Sequence, residues 1–151
     1  MALKAKIMGR QALMRRLNEL APNAEKYAAE AKLDVVKEAA NLISADAPHD
    51  KGEYMTKIKG ERQADNPHLA PLIGRTTKDP DATAVYAPWI WRFLEFGTKA
   101  HINKGKFAGT THPGTPAQPH IFPTWNNFKA AAKKRVNAAI NRAVREAMRK
   151  R

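Results

Sequence analysis

The 151 residues contain no cysteine. That excludes disulfides, thiolate nucleophiles and Cys-based zinc sites together, and it fits a reducing compartment. No run approaches the ~18 apolar residues of a membrane-spanning helix, and the N-terminus lacks the apolar core of a signal peptide. The expectation is a protein made in the cytoplasm with no membrane partner. Aromatic residues are scarce, at 7%, so most of a core must come from Ala, Leu, Ile and Val. Acid is scarce at both ends. From Met1 to Arg16 the charged residues are Lys4, Lys6, Arg10, Arg15 and Arg16; from Lys129 to Arg151 nine bases face Glu146 alone.

What is present suits one domain. The apolar share is 43%, and a chain of this size buries about 70% of its unfolded surface. Net charge is +13. Such a balance favours a polyanion or an acidic protein partner, and the plainer reading is a solvated helix face.

Leu3, Ile7, Leu13, Leu17 and Leu20 have helical spacing, and Pro22 is expected to end that extension (residues 1–22). Asn23 is placed to cap a second, long helix over 23–44, whose inner face is Tyr27, Ala31, Val35, Ala39, Leu42 and Ile43. A small antiparallel sheet is expected over 53–87. Tyr54, Thr56 and Ile58 alternate like a strand, 69–77 supplies a second, and Thr83–Tyr86 a third. Pro88 and Gly97 bracket a short helix over 88–97 that is apolar nearly all round. A loop or hairpin follows over 98–119. Pro123 opens a basic C-terminal helix over 123–149, with Phe128, Ala132, Val136, Ala139, Ile140, Ala143 and Ala147 as its apolar stripe. The fold class is α+β.

Catalytic chemistry needs convergent groups, and few are visible. The five histidines, His49, His68, His101, His112 and His120, all fall in expected loops; zinc held by the last three is the remote case. Gly105–Thr111 lacks the order of a phosphate loop. Glu95 stands in apolar company and needs a partner. Two structural readings are open, an ion pair with Arg92 one turn away or a capping carboxylate; a catalytic general base is the remote third.

Tyr86-Ala87, then Glu95-Phe96-Gly97-Thr98, then Pro116-Ala117-Gln118-Pro119-His120-Ile121-Phe122-Pro123 resembles the gene-product-ten-like head–tail connector family of long-tailed phages, also called neck, tail-completion or minor tail proteins. A weaker element, Ala47-Pro48 through Thr56-Lys57-Ile58, is similar to the family's segment after its long helix. The order of elements covers about residues 23–148. Four positions depart from the pattern: Lys51, Lys57, His120 (where Phe is usual) and Thr124.

The resemblance implies a non-catalytic virion protein without cofactor or metal, a ring-forming subunit of the neck or tail. Its partners would be further copies of itself and the neighbouring connector, stopper, tail terminator or tail tube proteins. In a ring each copy offers two different surfaces. Trp89, Trp91, Phe93 and Phe96 are then expected to divide between the core and an intersubunit contact. Gly97 would make a left-handed exit before Thr98, and Glu95 would hold the turn or the loop through backbone N–H groups. Pro119 and Pro123 would fix the loop's return, with Ile121 and Phe122 plugging the core. Lys133, Lys134, Arg135, Arg142, Arg145 and Arg149 would meet genome DNA non-specifically, or acidic neighbours. The alternative is a basic DNA-binding or packaging accessory protein; a hydrolase using loop histidines is a distant third.

Overall fold

A computed structural model describes residues 10–49 and 52–149. In chain order the elements are α1 (Arg10–Asp46), α2 (Glu53–Thr56), β1 (Lys59–Arg62), a 3-10 turn, β2 (Thr83–Tyr86), α3 (Trp91–Phe96), β3 (His101–Ile102), a second 3-10 turn, β4 (Thr111–His112) and α4 (Phe122–Arg149). The architecture is α+β: two long helices and two small antiparallel two-strand sheets. The expected start of the first helix at residue 3 lies outside the described residues.

The two long helices run antiparallel. Thr124 donates to Asp46 at one end (2.5 Å), Arg135 pairs with Glu38 in the middle, and Tyr27 donates to Glu146 at the other end (2.5 Å). Small residues on the facing stripes, Ala29, Ala39, Ala40, Ala132 and Ala143, are buried and let the backbones approach. Ile43, Val85 and Ile121 are the largest fully buried side chains, and they join α1, the sheet and the start of α4 in one core.

Pro22 does not divide α1. A proline inside a helix removes one hydrogen bond and costs about 3 kcal/mol. Here it is exposed, and packing takes over directly after it: Asn23 and Tyr27 already face Ala143, Glu146 and Ala147 of α4. Before it, Gln11, Ala12, Met14, Arg15 and Arg16 are good helix formers. Asn23 is therefore an interior residue rather than a cap, and Leu42, expected inside, is exposed.

The sheet is also shifted from the expected register. Tyr54, Thr56 and Ile58 form no strand; Glu53–Thr56 is one helical turn, started at Gly52 and closed by Ile58 N–H on the Met55 carbonyl (3.2 Å). In that turn Tyr54 and Ile58, four apart, share the inner side. The strand comes one step later, with Gly60 opposite Val85. Gly60 has to be glycine: a Cβ there would lie 2.1 Å from the Val36 carbonyl oxygen on α1. The strand expected over 69–77 shrinks to a single bridge, Ile73 to Val85. Pro71 cannot donate to a ladder and Gly74 turns away at φ 122°, which leaves room for no more.

Candidate functional site

The segment from α3 through the β3–β4 hairpin to the start of α4 gathers most of the singled-out residues. α3 is shorter than expected: Pro88 forms a preceding turn, accepting from Trp91 N–H (3.0 Å), and the helix proper runs Trp91–Phe96. It ends at Gly97, with φ 70° and ψ 179°, a region open essentially to glycine alone. A Cβ at Gly97 would also stand 2.6 Å from the Thr115 carbonyl oxygen. The tight exit lets Thr98 and Thr115 exchange backbone hydrogen bonds (2.9 and 3.1 Å), which closes the base of the hairpin.

Glu95 locks this unit. Its Oε2 accepts from the backbone N–H groups of His120 (2.8 Å) and Ile121 (2.9 Å), and its Oε1 from Phe122 (3.0 Å). These amides lead into and begin α4, where backbone donors have no helical partner and the helix dipole favours an anion. Pro123 follows with no N–H to satisfy. The carboxylate is 3% exposed, so it caps α4 across 25 residues of chain from a dry site. Among the described residues it makes no ion pair with Arg92, whose guanidinium instead lies 5.4 Å from the Trp91 ring centre. Of the two readings of Glu95, the cap holds.

His120 completes the lock, and it fills the place where the resemblance leads one to expect phenylalanine. Its ring is 2% exposed. Nδ1 is 2.7 Å from the Gln118 carbonyl oxygen, which can only accept, so Nδ1 carries a proton. In the neutral ring Nε2 then accepts from the Tyr54 hydroxyl (2.8 Å). The Tyr54 pKa is pushed well above its ordinary value, first by burial and second by the negative charge of Glu95. Gln118 N–H bonds the Leu94 carbonyl (2.7 Å), tying the returning chain to α3. Sequence reasoning missed Tyr54 and His120 as partners; a polar tip on an otherwise apolar segment at each position was the available signal.

The aromatic residues differ in burial. Tyr86 is buried in β2, and Trp91 is half-buried against the core. Trp89 is 76% exposed and meets Phe93 edge-on at 5.6 Å. Phe96, 64% exposed, lies flat on Phe122 at 6.1 Å, with Trp91 beside both rings. Trp89, Ile90 and Leu94 also line an open groove with Pro48, Tyr54 and Pro88. On the hairpin, Ile102 and Phe107 are exposed, and the rings of His101 and His112 stack at 5.1 Å. The loop's two isolated apolar residues were the overlooked hint of a second apolar surface. Pro119 is exposed and directly precedes the three capped amides.

No group of three metal-ligating side chains occurs among the described residues. The trio His101, His112 and His120 is not a site, because both ring nitrogens of His120 are committed inside the core. Of the basic residues, Arg135 is held by Glu38 and lies over Phe128, and Arg142 lies over Tyr27 beside Glu146 (3.9 Å). Lys133, Lys134, Arg145 and Arg149 are exposed on α4.

Comparison with family models, with curated proteins and with solved structures finds no match to this chain.

Proposed function

We propose that this chain is a structural subunit of a tailed-phage virion, one that assembles head to tail into a ring at the neck or tail-completion joint. The observation that carries the reading is the split of the aromatic cluster. Trp89, in the turn before α3, and Phe93 and Phe96 on α3 stand out into solvent, while α3 is tied to α4 by the Glu95 cap. Large aromatic side chains on a rigid support are what a packed protein contact uses.

The occupant of this face is a second copy. A head-to-tail ring requires two different, complementary surfaces on one chain. The chain offers two apolar ones: the α3 patch, and the hairpin with Ile102 and Phe107. The motif order described above supports the same assignment, and neighbouring connector, terminator or tube proteins would seat on the finished ring.

Light scattering over a range of protein concentrations tests the reading, together with sedimentation alongside isolated capsids or tails. The expected result is a ring-sized species, or a monomer that joins virion parts. Trp89→Ser with Phe93→Ser should abolish that association and leave the melting temperature within about 3 °C, since both side chains are exposed. A wild-type protein that stays monomeric and joins neither capsids nor tails would refute it.

A further inference from the structure

We infer that the outward face of α4 binds the phosphate backbone of duplex nucleic acid, without reading sequence, through Lys133, Lys134, Arg145 and Arg149. The inference rests on how charge is distributed and holds whether or not copies close into a ring.

The two long helices differ in the relevant respect. From Asn23 to Asp46, α1 carries Glu25, Glu30, Asp34, Glu38 and Asp46 against Lys26, Lys32 and Lys37, the mixture expected of a solvated face. Over Phe122–Arg149, α4 carries seven bases and one acid. That acid, Glu146, is engaged by Tyr27 and Arg142. Two of the bases are also used inside the chain: Arg135 by Glu38 and Phe128, Arg142 by Tyr27 and Glu146. The remaining five are exposed. Lys129 bonds the Asn126 side-chain oxygen and Arg145 the Asn141 carbonyl, both neutral acceptors that leave the charge in place.

The spacing suits a polyphosphate. Lys133 to Arg149 spans roughly 24 Å along the helix, within the ~34 Å of one duplex turn; Lys129, on the opposite flank from Arg149, lies outside that reach. Between Lys129 and Arg145 the exposed uncharged residues are short: Ala130, Ala131, Asn137, Ala138 and Asn141. They allow a backbone to approach, and the amides can donate to it. No aromatic residue lies on this face to stack a base, so the contact carries no sequence information. A second copy carries a net +13 and offers this face only the mixed charges of α1. A duplex presents one negative charge per ~1.7 Å.

The test is fluorescence anisotropy of the full-length protein with two unrelated duplexes of roughly 30 base pairs, from about 50 to 200 mM salt. Both duplexes should bind alike, with log K falling against log salt at a slope no shallower than about −3.6, for four neutralised phosphates. Lys134→Glu with Arg145→Glu should weaken binding at least tenfold and reduce the slope by about 2. Arg135→Gln, at a base already held by Glu38, should leave the slope unchanged. Circular dichroism and a melting temperature equal to wild type confirm that the variants fold. Absence of binding at the lowest salt, or a slope that the double variant does not move, overturns the inference. So does salt-sensitive self-association that the double variant abolishes while DNA binding persists, which would make the face a protein contact.

Discussion

α4 is held at its two ends by carboxylates working in opposite surroundings. At its start, Glu95 is buried and accepts three backbone N–H bonds. Near its end, Glu146 is exposed, accepting from Tyr27 and lying beside Arg142. The count of polar contacts is similar. The difference is water. In a dry site a hydrogen bond is strong, and a donor stripped of its acceptor has no replacement. At the surface, solvent and salt compete for each partner. The first contact therefore specifies where α3, the hairpin and α4 meet; the second trims a helix end already placed by packing.

Glu95→Ala gives the largest expected effect. It leaves three amides without an acceptor and should lower the unfolding free energy by about 3–5 kcal/mol, read from urea midpoints. A loss under about 1 kcal/mol would erase the contrast. Next comes Tyr54→Phe, which removes the donor to His120 and should cost about 1–2 kcal/mol. It also has a pH signature. The folded Tyr54 pKa lies above the unfolded value of 10.0, so the associated stability is present below pH 10 and drains away as pH rises past it. Wild type should therefore lose stability faster than Tyr54→Phe above pH 10; parallel losses would remove the burial account of that shift. The smallest effect belongs to Glu146→Gln, within about 0.5 kcal/mol and fading with added salt. A larger, salt-insensitive loss would show that the far end of α4 is specified as tightly as the near one.

The sequence announced the locked junction better than it announced the elements around it. A carboxylate among aromatics has few structural fates, and Gly97 and the proline at the head of α4 fixed the turns on either side. The amphipathic stripes of both long helices were readable because they repeat over several turns. Tyr54–Ile58 was misread because five residues of alternation are also one helical turn, and only Gly60 against Val36 decides where the strand begins. Pro22 was misread because its local cost is outweighed by contacts with α4, more than 100 positions away. His120 and Tyr54 were invisible as a pair for the same reason: 66 residues separate them.

The closed base of the hairpin has a further consequence. Thr98 is paired to Thr115, and Gln118 to Leu94, before the chain reaches α4. The excursion between them leaves and returns at one fixed point, so its own length and content place little load on the rest of the molecule, and each doubling of such a loop costs only about 0.6 kcal/mol in closure entropy. Residues 100–113 are in effect a cassette, with Gly114 kept because a Cβ there would lie 2.4 Å from the Thr98 carbonyl oxygen. They can be exchanged, extended or replaced by a foreign epitope while α1, the sheet and α4 keep their positions, which makes this one stretch the place where the protein can change what it touches without relearning how to fold.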